Sequence, residues 1–395
     1  MRTKIRFVMP ILLAAALFTA SFAYDAQAIA PTAIDERASD TSFVMRPDGS
    51  LWGWGNNEFG QLGDGTRINR HSPVHIIDNV VDFSSNGTRS LAVTADGGLW
   101  SWGTVPTRVM DDVIAVSAGD EHTMIIKTDG SLWGWGNNSR GQLGVITSES
   151  HTRENPVHIM DDVIAVSAGS NHTLAITADG GLWAWGWSNR GQVQGDHTVR
   201  EWGSNPDLMH PEPIQIRYWS AFIAISAGHS HSMAVSDDGR LWVWGSSSSG
   251  QIGDGRTSNR RFPVNYIMDD VVAISAGRFH SAAITSDGAL WTWGSNQNGQ
   301  IGNGLPNEDH GRATRVPVHV MDDVSSVYAG YANTLVIKTD GSVWAWGSNR
   351  SGQIGDGTAT ITSWVFDDDQ PFPNYVVHED NTRRSPVHIM DAMAE

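Results

Sequence analysis

Histidine offers the widest chemistry of any residue type in this sequence, because a neutral imidazole binds metal ions and titrates near neutral pH. Eight of the 15 histidines fall into two series, each of which occupies one position of a repeated phrase. They are His122, His172, His231 and His280 in the first series, and His75, His158, His319 and His388 in the second. A metal or acid–base site needs ligands that converge within a few ångströms. Equivalent positions of separate repeats stay apart, so both series are predicted to be hydrogen-bonding strand residues.

Carboxylate pairs are the second candidate chemistry, because two facing acids can hydrolyse a glycosidic bond. Paired aspartates recur once in most repeats, at Asp111-Asp112, Asp161-Asp162, Asp269-Asp270 and Asp322-Asp323. Recurrence of this kind favours solvated turns over a catalytic cleft. The sequence contains no P-loop, G-x-S-x-G, H-E-x-x-H or calcium-loop motif and no cysteine. We therefore predict no catalytic residue, no metal site and no cofactor, and we expect a protein that is not an enzyme.

The phrase that carries these residues is repeated along nearly the whole chain. It reads "DGSLWGWG" at Asp48 and returns, with small changes, at Asp96, Asp129, Asp179, Asp238, Asp287 and Asp340. The seven copies start 33 to 59 residues apart and hold fourteen of the 18 tryptophans in W-x-W pairs. A period near fifty residues indicates an array of small units that share cores with their neighbours.

A single repeat predicts four strands. Residues 161–187 read "DDVIAVSAGSNHTLAITADGGLWAWGW", in which VIAVSA and HTLAIT are short apolar segments and ADG is a turn. The two tryptophans of the third strand lie two residues apart and so point to one face, and the later PVHI is a fourth strand. One such sheet cannot bury both faces, but seven around an axis can. This predicts an all-β fold, a seven-bladed β-propeller of four-stranded antiparallel blades with tryptophan wedges between them.

The two ends of the repeat array complement each other. The first W-x-W unit follows "RASDTSFVMRPDG", which is the second half of the strand–turn–strand phrase. The chain ends in "MDAMAE", which matches the missing first half, "MDDVIA". We therefore expect the N- and C-terminal segments to pair within one blade and to close the ring without a covalent link.

The N-terminal segment has the layout of a secretory signal peptide. A positively charged start precedes an apolar run, and an A-x-A pattern follows. A membrane-spanning helix is the alternative, but a proline interrupts the run. We predict a signal peptide at 1–28, cleaved after Ala23 or Ala28, a short linker at 29–39 and the propeller at 40–395. The mature protein is then predicted to be secreted or extracellular, either free or at the cell surface, and to have no membrane span.

Composition limits the choice of partner. The formal net charge of −17 leaves no basic surface for nucleic acid, so DNA and RNA are not expected partners. Strong net charge also favours a soluble monomer. The absence of cysteine means that a secreted chain must be stabilised by its core, without disulfides.

Three insertions lengthen the repeats, at 195–220, 305–315 and 358–384, and each follows a W-x-W strand and its glycine turn. Equivalent connections of a propeller emerge on one face, and aromatic residues on rigidly held loops suit a binding surface. The alternative is that these rings pack inside their own loops. The predicted partner-binding residues are Trp202, Tyr218, Trp219, Trp364, Phe366, Phe372 and Tyr375.

The joined motifs WGxNxxGQLG and VxAVSAGxxHTxAIxxDG resemble the repeat of the regulator of chromosome condensation family over residues 40–395. The resemblance implies a seven-bladed propeller that grips another protein. Members of that family exchange guanine nucleotide on a small GTPase, sense UV-B light through tryptophans beside G-x-x-H-T, or inhibit β-lactamases as secreted bacterial proteins. The matching loops here read GDEHT, GSNHT, GHSHS, GRFHS and GYANT, without tryptophan, which disfavours photoreception. The predicted signal peptide favours a member of the secreted bacterial type.

The leading functional hypothesis is a secreted module that binds a protein partner through the loops of one face. The alternative is a propeller that binds a cell-surface glycan or the cell wall, because tryptophan faces suit sugar rings. Two further alternatives are guanine-nucleotide exchange, which depends on the family resemblance alone, and a lyase or hydrolase that acts in the central funnel.

Overall fold

The computed structural model describes residues 33–35, 40–146, 151–193, 209–216, 220–264, 267–305, 313–365 and 374–391. Every regular element in these residues is a β-strand. Twenty-eight of the strands form seven four-stranded antiparallel sheets, and two form a separate hairpin. The predicted all-β, seven-bladed propeller is therefore confirmed.

Each blade runs from an inner strand at the axis to an outer strand at the rim. The inner strands are β1 (Ala33–Asp35), β5 (Val80–Ser85), β9 (Val113–Ala118), β13 (Val163–Ala168), β17 (Phe222–Ala227), β21 (Val271–Ala276) and β25 (Val324–Ala329). The second strands are β2 (Thr41–Met45), β6 (Ser90–Thr94), β10 (His122–Lys127), β14 (His172–Thr177), β18 (His231–Ser236), β22 (His280–Thr285) and β26 (Asn333–Lys338).

The third strands carry the W-x-W pairs, and four of the fourth, outer strands carry a PVHI or PVHV segment. The third strands are β3 (Leu51–Gly55), β7 (Leu99–Trp102), β11 (Leu132–Asn137), β15 (Leu182–Trp187), β19 (Leu241–Gly245), β23 (Leu290–Gly294) and β27 (Val343–Gly347). The outer strands are β4 (Arg70–Ile77), β8 (Thr107–Met110), β12 (Thr152–Met160), β16 (Met209–Ile216), β20 (Arg260–Val264), β24 (Thr314–Met321) and β30 (Arg383–Met390). The extra hairpin pairs β28 (Ile361–Val365) with β29 (Asn374–Glu379).

Backbone conformation explains the paired aspartates. The second aspartate of each pair has a positive φ, from 56° at Asp270 to 62° at Asp112, and Asn79 takes the same conformation at 60°. Aspartate and asparagine tolerate this left-handed region better than other non-glycine residues. The pairs are therefore turns between an outer strand and the next inner strand, as predicted.

Serines join the inner strands to one another around the axis. The hydroxyl of Ser117 accepts a hydrogen bond of 2.9 Å from the main-chain amide of Ala168 in the next blade, and Ser84, Ser167, Ser226 and Ser275 repeat the bond with the same length. In the last blade Tyr328 takes the place of this serine. Within the described residues, five junctions between inner strands thus share one polar link.

The ring closes differently from the sequence prediction. The strand β1 pairs with β2 and contacts the inner strands β5 and β25 on either side. The predicted exchange, in which MDAMAE completes the first blade, is wrong for the described residues: β30 belongs to the seventh blade, and residues 392–395 lie outside them. A nearby upstream segment loses less entropy on pairing than one from the far end of the chain.

The first and seventh blades nonetheless seal against each other without a covalent link. Val44 and Trp54 of the first blade share a core with Leu335 and Ile337 of the seventh, and Ile389 packs against it. Ser42 donates a hydrogen bond of 2.6 Å to the main-chain carbonyl of Gln353. The head and the tail of the array therefore meet, as expected, through packing between blades instead of a shared sheet.

The second tryptophan of each pair is the wedge between blades. Five of them are fully buried: Trp54, Trp185, Trp244, Trp293 and Trp346. Glycines of the preceding blade make room for the indole, since a Cβ at Gly302 would lie 2.5 Å from Nε1 of Trp346. Trp135 is only half-buried, because the preceding blade lacks the G-Q turn. The shortened second repeat thus leaves its neighbour's tryptophan partly uncovered.

Candidate binding face

Strand order decides which connections share a face. The turns from inner to second strands and the connections from third to outer strands lie at the same end of the blades, because successive strands are antiparallel. We call this end the loop face. The insertions predicted from the sequence all occur between a third strand and the outer strand of the same blade, and such connections begin and end on the loop face. Their middle parts, 194–208, 306–312 and 366–373, lie outside the described residues.

Most of the predicted partner-binding residues lie outside the described residues: Trp202, Tyr218, Trp219, Phe366 and Phe372. The remaining two lie on the hairpin within the last insertion. Trp364 in β28 and Tyr375 in β29 are directly opposite each other in the strand register. The hairpin therefore brings one pair of the predicted residues together.

A cavity opens on the loop face at the axis. Its volume is about 170 Å³, and small residues of the inner strands line its wall. In five repeats the residue after the glycine of the inner-to-second-strand turn also lines this cavity: Asp120, Ser170, His229, Arg278 and Tyr331. We call the opening that these five side chains surround the axial mouth. Its backbone repeats from blade to blade, whereas its side chains differ.

Arg278 is the arginine at the axial mouth. Its guanidinium carbon lies 3.9 Å from the ring centroid of Tyr331 and 5.0 Å from that of Phe279. Burial lowers the pKa of Arg278, and the negative charge of Asp120 opposes that shift only in part. The guanidinium thus contacts two aromatic rings in a partly desolvated site.

His229 stands next to Arg278 at the mouth. Burial lowers the pKa of its imidazole; the charge of Asp120 opposes this shift and that of Arg278 adds to it. Its Nδ1 lies 2.7 Å from the Ser230 hydroxyl oxygen, and its ring centroid lies 5.7 Å from that of Phe279. Within the described part of the chain, no hydrogen bond or ion pair joins His229 to Asp120. A serine–histidine–aspartate relay is therefore not assembled among these residues.

A groove runs outward from the mouth between the sixth, seventh and first blades. Its volume is about 520 Å³, and it shares Arg278 and Tyr331 with the axial cavity. Arg350 and Asp40 lie farther along it. Burial raises the pKa of the Asp40 carboxyl, although the positive charge of Arg350 acts in the opposite direction. Asp40 accepts hydrogen bonds from Gln353 and Ser351, at 2.6 and 3.4 Å.

The first histidine series has a structural role, as predicted. Nε2 of His172 lies 3.0 Å from the hydroxyl of Ser232 in the next blade, and His122, His231 and His280 make the same contact with a serine or threonine. The Ser232 hydroxyl donates in turn to the main-chain carbonyl of Gln192, so the histidine must be the donor. Burial lowers the pKa of His231 to about 3 and that of His280 to about 4.

The second histidine series lies at the rim of the opposite face. Nε2 of His158 is 2.8 Å from Oδ1 of Asp161, and the imidazole contacts Trp133 edge to face with centroids 5.3 Å apart. The other members repeat this arrangement. Among the described residues, no three His, Asp or Glu side chains are grouped closely enough to hold a metal ion.

The sequence did not predict three of the residues at the axial mouth and the groove: Arg278, Phe279 and Tyr331. They occupy the two variable positions of the G-x-x-H turn and of its counterpart GYANT, where tryptophan is absent. The sequence feature that could have indicated them is the presence of large side chains at positions where GDEHT and GSNHT have small or acidic residues. What the sequence does not show is that Arg278 and Tyr331, in adjacent repeats, touch across a blade boundary.

Comparison with known proteins agrees with this architecture. The family model described as the RCC1-like domain matches residues 104–367, and the model of the regulator of chromosome condensation (RCC1) repeat matches residues 48–93. The chain belongs to the RCC1-like domain family. The resemblance inferred from WGxNxxGQLG is therefore correct as to family, whereas the secreted bacterial type remains a prediction.

Relatives of this RCC1-like domain include proteins of several kinds. It is 30% identical over 148 residues to the probable E3 ubiquitin-protein ligase HERC6 of Homo sapiens, and 28% identical over 171 residues to the ultraviolet-B receptor UVR8 of Arabidopsis thaliana. These alignments cover 36% and 40% of this chain. They span only 14% and 39% of the two relatives, so the relatives' activities do not transfer directly.

Solved structures show the same fold. Prp20p of Saccharomyces cerevisiae superposes with a TM-score of 0.70 at 20% identity, covering 92% of this chain and 88% of that one. Human WBSCR16 gives the same score and identity, covering 86% and 94%. The RCC1-like domain described here also contains no helix, among its described residues, that is long and apolar enough to cross a membrane.

Proposed function

We propose that this RCC1-like domain is an exported module that binds a protein partner through its loop face. The observation that carries the proposal is the placement of exposed apolar side chains. Phe59, Ile68, Val105, Ile146 and Leu305 are each at least 60% exposed, and all lie in connections between third and outer strands. Tyr331, 40% exposed, adds an aromatic ring at the axial mouth. Exposed apolar residues that several loops of a rigid scaffold present on one face suit a protein-binding surface.

Related propellers support a protein partner. The structure report on Prp20p describes its binding to Gsp1p and histones, and a second structure shows Kap60 bound to yeast RCC1. Those partners are not carried over, because the identity of about 20% supports only the fold. The predicted signal peptide, which supports export, would bring this chain to partners outside the cytoplasm.

Site-specific photocrosslinking tests the proposal. A photoreactive amino acid is placed at Tyr331 on the loop face or at Val272 on the opposite face, where the exposed fractions are 40% and 43%. We expect a discrete protein adduct from secreted and cell-surface fractions at position 331, competed by excess unmodified domain. Equal adducts at position 272, or none at either, would count against the loop face.

Export has its own test. The full chain is expressed in its source cells, and the extracellular protein is sequenced from its N-terminus. We expect a start directly after Ala23 or Ala28. Intact, unprocessed chain retained inside the cells would contradict export while leaving the loop-face proposal intact.

The glycan alternative depends on aromatic faces that accept sugar rings. A glycan array with purified domain separates it from the protein-binding proposal. Weak binding to a repeated saccharide, unaffected by excess protein partner, is the outcome that would favour it.

A further inference from the structure

Arg278 differs from Arg70 and Arg383 of the loop face in having no carboxylate partner. Arg70 is 2.6 Å from Asp64, and Arg383 is 2.6 Å from Asp356. In the described part of the chain, no acidic side chain comes within ion-pairing distance of the Arg278 guanidinium. Its Nε is also shielded from solvent without a hydrogen-bond partner there. A partly desolvated cation that makes no ion pair and no side-chain hydrogen bond within the described residues can gain both from a ligand.

The aromatic contacts of Arg278 leave its hydrogen-bonding edges free. The guanidinium carbon lies over the rings of Tyr331 and Phe279, and a cation held over an aromatic ring in this way makes no hydrogen bond with it. A guanidinium that is held in place presents two parallel N–H groups, which match the two oxygens of a carboxylate. The position is therefore preorganised for a carboxylate, as a flexible surface lysine would not be.

The surroundings favour a carboxylate carried by a peptide. The axial cavity and the outward groove meet at Arg278 and Tyr331 and together provide a continuous path from the axis towards Arg350. Arg350 is exposed and adds a second positive charge. Of the two acids near this path, Asp40 is engaged by Gln353 and Ser351, and Asp120 lies with Arg278 on the axial cavity.

We infer that the axial mouth binds an acidic, extended segment of a partner protein, with one carboxylate received by Arg278 and flanking residues lying along the groove to Arg350. This inference rests on the proposed function and gives its partner a chemical class. The net charge of the chain is −17, so long-range attraction cannot drive the contact. Recognition must come from short-range pairing at Arg278.

Binding of a defined peptide to the whole mature domain tests the inference. The probe is a short fluorescein-labelled peptide of glutamate, aspartate and glycine with blocked ends, and its matched control contains glutamine and asparagine. We expect saturable fluorescence anisotropy for the acidic peptide only. Arg278→Gln should weaken that binding at least about tenfold, because a charged hydrogen-bonded pair is lost. Arg278→Lys should restore only part of it, since ammonium cannot pair in bidentate fashion.

The control variant is Arg140→Gln. Arg140 also stacks on an aromatic ring of the loop face, 4.8 Å from the centroid of Trp187, but lies away from the axial mouth. Its loss should leave peptide binding unchanged. Equal binding of acidic and amide peptides, or an Arg278→Gln variant that binds as the parent does, would overturn the inference. Glutarate that competes as well as the peptide would show a site for free carboxylates and would also overturn it. Crosslinking at position 331 can succeed in either case, so the proposed function is judged separately.

Discussion

The indole Nε1 of Trp185 donates a hydrogen bond of 3.0 Å to the main-chain carbonyl of Gln142 in the preceding blade. The same carbonyl accepts a second hydrogen bond, of 2.8 Å, from the hydroxyl of Thr173. Five other W-x-W pairs use their second tryptophan in the same way. The blade junction is thus both a packed apolar contact and a satisfied polar one, in which the G-Q turn of one repeat receives the tryptophan of the next.

Removing this indole hydrogen bond should weaken the ring at one junction. We expect Trp185→Phe to lower the free energy of unfolding by about 2 kcal/mol, because a buried hydrogen bond and part of a buried ring are lost. Trp135→Phe is the matched control, since the second repeat has no G-Q turn and Trp135 is half-buried. Its cost should stay below about 1 kcal/mol. Chemical denaturation measures both, and equal losses would contradict the role given to the Gln142 carbonyl.

The glycine that accommodates the indole should tolerate no side chain. Gly302 has a φ of +79°, and an added Cβ would lie 2.5 Å from Nε1 of Trp346. Gly65 has a nearly identical φ of +81°, but an added Cβ would meet nothing within 4 Å. We expect Gly65→Ala to cost about 1 kcal/mol from backbone strain alone, and Gly302→Ala to cost about 3 kcal/mol or more from strain and steric clash. Similar thermal shifts for the two variants would refute the wedge geometry.

The buried histidines should make the domain sensitive to acid. Burial lowers the pKa of His280 from 6.5 to about 4. Between these two pH values the imidazole is protonated in the unfolded chain but neutral in the folded one. Stability is therefore complete above pH 6.5 and is lost as the pH falls from 6.5 to about 4, by up to about 3 kcal/mol for this group.

Replacement of His280 isolates this effect. Asn333 occupies the same position in the seventh blade, so His280→Asn is a substitution that the fold already accommodates. The variant should lose less free energy of unfolding than the parent between pH 6.5 and pH 4.5 in urea titrations. Parallel pH dependence in both proteins would show that His280 does not titrate as described.

The closing strand can be tested by truncation at either end. A chain that begins at residue 36 lacks β1 and leaves a three-stranded first blade with an unpaired edge. We expect a lower free energy of unfolding and a broader transition, whereas a chain that ends at Asp391 should differ from the parent by less than about 1 kcal/mol. If only the C-terminal truncation destabilised the domain strongly, the result would support the prediction that MDAMAE completes the first blade.

Much of the fold could be predicted from the sequence because each repeat encodes the same local interactions. The W-x-W pairs, the aspartate turns and the PVHI segments occur at matching positions, and the seven copies predict seven blades directly. The roles of His172 and His158 followed from the same argument, since equivalent positions in a ring cannot converge on one ion. Closure was predicted less well, because a match between MDAMAE and MDDVIA does not reveal that Ala33–Asp35 competes for the same edge.

By itself, then, the sequence determined the repeat, its strands, the number of blades and the side chains that form their boundaries. Only the tertiary structure decided which residues meet between repeats. Arg278 and Tyr331 are 53 positions apart in the chain yet stack at 3.9 Å, and Trp185 reaches the carbonyl of Gln142 across a blade boundary. The physical reason is that periodicity specifies contacts shared by all repeats, whereas the axial mouth is built from the variable positions, whose neighbours are set by the packing of one blade against the next.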